Sequence, residues 1–279
     1  MLKKRNYHLR YAPSLALLGK ELPIDRRLEK FAQQGFDATE YSCAGQPNCG
    51  LMRHPLSKVE EMRKKLDLLG MEMGVFVVNP GAFNNNGGLC DAAERQTFLA
   101  ELHKAVNYHR VIGNHFCTVL VGSEKPGMSR DQQRKNVIET LKRAAEILES
   151  TDLTIVVEPI NLIDKPESFL VLSDEAAQII AEVESSHVRI LFDIHHQRLS
   201  EGNLIGNIRK HHAYISYYQA GDVPGRKEPG SGEINWTSVF KAIYETGYKG
   251  FVGMEHGLSA PGEVGLQKCF EAYRQADAW

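Results

Sequence analysis

Four apolar runs in the second half of the chain each end on an acid or an amide. Thr154 to Val157 runs into Glu158, Val188 to Phe192 into Asp193, Tyr214 to Tyr218 into Gln219, and Gly250 to Met254 into Glu255. Short, nearly continuous apolar runs of this kind suit strands buried on both faces, as in a parallel sheet. Parallel neighbours need a crossover between them, and a helix usually supplies it. After the third run, Asn235 stands where an N-cap belongs, and Ile234 and Val239 are spaced as a hydrophobic staple. Trp236, Val239, Phe240, Ile243 and Tyr244 then recur at helical intervals. The punctuation is strand, polar end, helix.

The same alternation fills the rest of the chain. Further strands are expected over Leu9 to Leu15, Ala38 to Tyr41 with Glu40 near its end, Glu72 to Val78, and Phe116 to Val121. Helices are expected over Ile24 to Gln34, from a Ser57 cap to Leu69, over Asp91 to Ile112, over Arg130 to Ser150, after a Ser173 cap, over Asn203 to Lys210, and over Gly262 to Ala276. Cys43 to His54 reads as irregular loop. Asn79 to Asp91 is polar, rich in Gly and Asn, and long enough to serve as a lid. Eight strands alternating with eight helices in 279 residues predict an α/β protein, a (β/α)8 TIM barrel in which residues 1–279 form a single domain. A doubly wound sheet is the alternative, but no GxGxxG follows the first strand and there is no P-loop.

A net charge of −2 argues against a protein whose affinity rests on phosphate contacts, so no nucleic-acid partner is expected. Five cysteines, an odd number with no CxxC pair, point to a reducing, cytoplasmic compartment. The apolar run Leu15 to Leu18 is too short for a signal h-region, and no segment has transmembrane length, so no membrane partner is expected either. The expected partner is a small molecule; homo-oligomer formation stays open.

In a barrel of this type, the C-terminal ends of strands five to eight meet at one mouth, where chemistry is placed. Glu158, Asp193, Gln219 and Glu255 would then crowd together, and three carboxylates in a partly buried mouth repel unless a cation neutralises them. An oxygen-rich set without cysteine favours one hard divalent ion, Mg²⁺ or Mn²⁺, with Co²⁺ tolerated. His196 is placed to reach substrate or brace a ligand, and Arg226 to clamp a carboxylate or hydroxyl. Glu40 is expected either at the same mouth or, in preference, in an ion pair within the barrel. His211 and His212 come at the start of a strand, away from the mouth, and read as structural. A cation chelated by a carbonyl and its neighbouring hydroxyl acidifies the hydrogen between them. A carboxylate that removes and returns that proton gives either aldose–ketose isomerisation through an enediolate or epimerisation. A non-catalytic sugar- or metal-binding barrel is the reading from another class.

The segments VVEPIN (Val156 to Asn161), FDIHHQRLSEGNL (Phe192 to Leu204), QAGDVPGRKEPGSGEINW (Gln219 to Trp236) and GFVGMEH (Gly250 to His256) closely resemble hydroxypyruvate isomerases of the xylose-isomerase-like barrel superfamily. That superfamily also contains ketose 3-epimerases and endonuclease IV. The resemblance implies that Glu158, Asp193, Gln219 and Glu255 hold the metal, that Glu158 and Glu255 form the acid–base pair, and that His196 and Arg226 touch substrate. It implies an intramolecular oxidoreductase of carbohydrate metabolism acting on small hydroxy-carbonyl acids or sugars. The chain departs from the family at His195, where a tyrosine is common, and in the loop Asn79 to Asp91. An endonuclease would need histidine ligands at the ends of the third and fourth strands, which here offer Asn79 and Gly122.

Overall fold

The computed structural model describes residues 7–19, 21–42 and 50–279. Eight strands, β1 (Arg10–Pro13), β2 (Ala38–Tyr41), β3 (Glu72–Val77), β4 (Phe116–Leu120), β5 (Thr154–Glu158), β6 (Val188–Asp193), β7 (Ile215–Gln219) and β8 (Phe251–Met254), form one parallel sheet. Its order is β1-β8-β7-β6-β5-β4-β3-β2. A parallel bridge between Ser14 and Glu40 joins the two ends, and the Thr39 hydroxyl donates to the Pro13 carbonyl at 2.7 Å beside it. The sheet is thereby a barrel, as the alternation of strands and helices predicts.

Outside it lie α1 (Ile24–Gln33), α2 (Leu56–Leu69), α3 (Arg95–Ile112), α4 (Arg130–Leu148), α5 (Ser173–Val183), α6 (Ile194–Ser200), α7 (Leu204–His211), α8 (Trp236–Glu245) and α9 (Gly262–Ala276). These are nine helices among the described residues against eight expected. The additional one, α6, starts directly at the end of β6, where the Asp193 carboxylate caps it by accepting from the His195 N–H at 2.8 Å. None of the described helices is long and apolar enough to cross a membrane.

Several ends differ from the sequence expectation. β1 stops at Pro13, because Ser14 caps a 3₁₀ turn over Leu15–Leu17. α2 begins one residue before Ser57, with Pro55 at its N-cap. Asp91 caps a short 3₁₀ turn, and the α3 helix proper begins at Arg95. Ser173 is the first residue of α5 rather than its cap, and its buried hydroxyl makes no hydrogen bond. Asn235 does cap α8, its side chain accepting from the Ser238 N–H. Residues 43–49 of the expected Cys43 to His54 loop, with Cys43 and Cys49, lie outside the described residues; Cys90, Cys117 and Cys269 are free and buried.

The alternation of strand side chains divides the core in two. One set packs between strands and helices. The other fills the barrel interior, with Ala12, Ala38, Val75, Val156, Leu191 and Tyr217 among its members. Tyr217 is large, and its neighbours make room for it. A Cβ on Gly74 would stand 2.5 Å from the Tyr217 hydroxyl, so only glycine fits there. This apolar layer is the floor on which the next layer of side chains, toward the strands' C-terminal ends, is laid.

Candidate active site

That next layer is polar. Glu40 from β2, Glu158 from β5, Asp193 from β6, Gln219 from β7 and Glu255 just after β8 are all buried. Asp193 and Gln219 are partners in register across β6 and β7. Above them opens a cleft of about 840 Å³, to which Glu158, His196, Arg226 and Glu255 contribute directly. Asp193 and Gln219 lie beneath its floor.

Arg226 is the lid on the carboxylates. Its Nη2 donates to Asp193 Oδ2 at 2.5 Å and to Glu255 Oε2 at 2.9 Å, and its Nε donates to the Glu255 carbonyl at 3.1 Å. Burial opposes the guanidinium charge, but Asp193, Glu255 and Glu158 together raise its pKa. Burial also opposes the Asp193 charge, and Arg226 with His196 outweighs it, so this carboxyl is held below its usual range. At Glu158 the Arg226 charge does not prevail. Burial, then the charges of Glu255 and Asp193, push its carboxyl well above the usual range.

The loop that carries Arg226 is hung from one side chain. Asp222 is fully buried; its Oδ1 accepts from the Val223 and Ile234 N–H groups at 2.8 and 3.2 Å, and its Oδ2 from Gly230 and Gly232 at 2.8 and 3.0 Å. Four backbone donors saturate the carboxylate, which leaves it no capacity for a ligand. The loop is also bound to its neighbour after β8: Glu228 accepts from the Ser259 N–H and hydroxyl, and the Arg226 carbonyl from the Gly257 N–H.

His196 is fixed from the other side. The Asn161 Oδ1 accepts from the Ile163 and Asp164 N–H groups at 2.9 and 2.8 Å, which forces its amide nitrogen toward His196 Nδ1 at 2.5 Å. Nδ1 is therefore an acceptor, and the ring proton sits on Nε2, which faces Glu158 and Asp193 at 3.6 Å each. Burial lowers the His196 pKa to about 3, so the ring is neutral. A neutral imidazole offering Nε2–H suits hydrogen bonding to a carboxylate or a substrate oxygen. His195 braces two loops, Nε2 at 3.2 Å from Asp164 Oδ2 and Nδ1 at 3.3 Å from the Asp222 carbonyl.

Glu40 joins this layer at the mouth, but not in the ion pair that is the preferred expectation. Among the described residues no cation pairs with it; it accepts from the Tyr217 hydroxyl at 3.0 Å and from Gln219 Nε2 at 3.3 Å. Burial and the nearby Glu255 push its carboxyl up to about 8. By engaging Nε2, Glu40 turns the other end of the Gln219 amide away, and Gln219 Oε1 is a buried acceptor with no hydrogen-bond partner.

These features fit a hard divalent cation. A buried, unpartnered amide oxygen stands beside crowded carboxylates, and ligand atoms of Glu158, Asp193 and His196 lie within 4.8 Å of one another. His211, at the opposite end of β7, meets Asp174 at 2.5 Å and takes no part. Asn161, Asp164, Asp222, Glu228 and Tyr217 are the residues that sequence reading did not single out. The Asn161–Asp164 pair carried one available signal, an Asx-turn spacing directly after a strand-ending Glu-Pro.

Residues 28–275 match the family model described as xylose isomerase-like TIM barrel. The chain belongs to that family. It is 30% identical over 261 residues, covering 93% of this chain and 97% of the relative, to a protein of Escherichia coli K12 named hydroxypyruvate isomerase. It is 29% identical over 259 residues, 92% and 96% of the two chains, to a 2-oxo-tetronate isomerase of Cupriavidus necator. Among solved structures it is similar to a family 2 AP endonuclease from Brucella melitensis, with a TM-score of 0.82 and 25% identity over 92% of this chain and 96% of that one. Within this xylose isomerase-like barrel, the ends of β2, β5, β6 and β7 and the segments that follow β5 to β8 supply the side chains described above.

Proposed function

We propose that the protein is a divalent-metal-dependent isomerase that interconverts the carbonyl and hydroxyl positions of a hydroxy-carbonyl substrate by proton transfer between adjacent carbons. The relatives named as isomerases, aligned over nearly the whole chain, support the reaction class. The observation that carries the reading is the unlike pair of glutamates facing one cleft: Glu158, whose burial favours its protonated form, and Glu255, which accepts from Arg226 Nη2 at 2.9 Å. Two carboxyls with opposed environments are what acid and base roles require.

Glu158, Asp193, Gln219 and Glu255 would hold the cation, which when bound supplies Lewis-acid polarisation of the carbonyl. The chain's own groups do the rest. One of Glu158 and Glu255 takes the proton from the carbon bearing the hydroxyl, and the other returns one to the former carbonyl carbon, with an enediolate of the substrate between the two steps. His196 Nε2–H donates to a substrate oxygen, and Arg226 lines the cleft on the Asp193–Glu255 side.

Mutation tests the assignment. Glu158→Gln and Glu255→Gln, assayed with Mn²⁺ for turnover and for substrate-dependent deuterium uptake from D₂O, are each expected to lose roughly 10²–10⁴-fold in rate. Wild-type rates in both variants refute the roles. Deuterium position and product distinguish an isomerase from a 3-epimerase, and absence of uptake with bound metal would leave a binding module. The endonuclease reading is disfavoured at the end of β3, where Asn79 is spent on structure: its amide donates to the Gly87 and Leu120 carbonyls at 2.8 and 2.7 Å.

A further inference from the structure

Above the reacting groups, the cleft changes character. Its walls are apolar, formed by Phe83, Leu120, Ile160, Ile163, Leu199 and Val223. Its volume of about 840 Å³ lies toward the top of the roughly 300–1,000 Å³ range of sites that enclose drug-sized ligands. A three- or four-carbon acid has neither the bulk to fill it nor the surface to wet it.

The basic side chains are also engaged in the metal-free protein. Among the described residues lining the cleft, Arg226 is the arginine and Lys165 the lysine, beside His195 and His196. Arg226 is engaged by Asp193 and Glu255, and the Lys165 ammonium stands 5.2 Å from the centroid of the Phe83 ring. Ile163, by contrast, is held where solvent would ordinarily exclude it. It is 71% exposed, yet its backbone N–H is anchored by Asn161, the residue that also orients His196, so the main chain that carries this apolar side chain is tied at the mouth to the catalytic framework. Leu162 beside it is 51% exposed.

Building on the isomerase reading, we infer that the substrate is a hydroxy-carbonyl head joined to an aryl or alkyl group, the head on the polar floor and the apolar group against the Phe83–Ile163–Leu199 walls. The occupant follows from continuity: one cleft contains both the proton-transfer groups and the apolar surface, and a single molecule that reaches the first covers the second.

The test uses the full-length, Mn²⁺-loaded protein and two probes with the same head, hydroxyacetone and 2-hydroxyacetophenone. Binding is measured by calorimetry or ligand-observed NMR, and deuterium exchange is scored separately. The aryl probe is expected to bind at least about tenfold tighter. Ile163→Asp should reduce that ratio severalfold, while Leu68→Asp, a change at a 78% exposed leucine on α2, should leave it unaltered. This outcome supports the inference whether or not either probe exchanges deuterium, since loss of exchange in both would count against the isomerase reading alone. Equal binding of the two probes, or binding of neither, overturns the inference even if exchange proceeds. It is overturned too if sedimentation shows a dimer that Ile163→Asp dissociates while the probe ratio stays unchanged, because a second copy of the chain then covers the apolar lip.

Discussion

Metal-free protein should lose stability as pH rises toward 8, and Glu40 should be a principal cause. Its carboxyl is fully buried, with a pKa raised from 4.5 to about 8 first by burial and then by the charge of Glu255. The folded state therefore keeps a proton that the unfolded chain gives up, and the sign follows: the contribution is fully present below pH 4.5 and is lost as pH climbs through about 8. A shift of 3.5 (8 − 4.5), at about 1.4 kcal/mol per unit, sets a ceiling of about 5 kcal/mol. Relaxation around a newly charged side chain brings the expected loss to about 2–4 kcal/mol. Glu40→Gln retains an oxygen to accept from the Tyr217 hydroxyl and Gln219 Nε2 but has no proton to lose. Urea unfolding in the presence of a chelator, at several pH values across this window, is the assay. The wild type and variant should agree near the acid end and diverge toward pH 8, with the variant the more stable. Glu158 contributes a slope of the same sign to both proteins, a smaller one in the variant because the Glu40 charge is among the causes of its shift, so the difference reports Glu40 together with its effect on Glu158. Parallel stability curves for the two proteins would refute the reasoning.

A Cβ on Gly253 would stand 1.9 Å from Glu40 Oε2 and 2.9 Å from Gln219 Cγ, so Gly253→Ala should cost about 1–3 kcal/mol in a thermal or urea melt and weaken Mn²⁺ binding read by electron paramagnetic resonance. Asp222→Ala strands four backbone N–H groups and should cost about 3 kcal/mol or more, with Asp222→Asn milder; equal stability of Asp222→Ala and wild type would contradict the loop's dependence on that carboxylate. Asn161→Leu removes the donor to His196 Nδ1 and should cut turnover by roughly 10–100-fold, with ¹⁵N NMR showing a loss of the Nε2–H tautomer's signature. Chelation should abolish turnover and Mn²⁺ restore it, and saturating Mn²⁺ at about 100 times its Kd should raise stability by about 2.7 kcal/mol.

The strand ends were legible because burial on both faces leaves nowhere for a polar side chain except the mouth, so Glu158, Asp193, Gln219 and Glu255 stand out against apolar runs. The barrel followed from counting those runs. What stayed hidden depends on side chains acting on backbone or on one another. The seven-residue α6 has too few turns to display a period, and its start is marked only by Asp193, whose carboxylate reads equally as a site residue. Glu40 read as half of an ion pair because buried carboxylates usually need a cation, whereas here burial favours the neutral acid and the neutral partners Ser42, Gln219 and Tyr217 suffice. Arg226 reads from sequence as a substrate clamp or as half of an ordinary ion pair; only the fold brings Asp193 and Glu255 to its guanidinium. No pattern along the chain reports that Asn161 is 35 residues from the histidine it orients.

The loop after β7 is secured at three points: Asp222 gathers its two ends, Glu228 ties its middle to Ser259, and the Arg226 carbonyl meets Gly257. Such a loop behaves as a cassette. Its parts cannot be exchanged one residue at a time without releasing the anchors of the others, so grafting a relative's specificity onto this barrel would require moving residues 222–234 together with 257–259. Conversely, a segment transplanted whole, with both anchors, should carry the position of its arginine into a new scaffold.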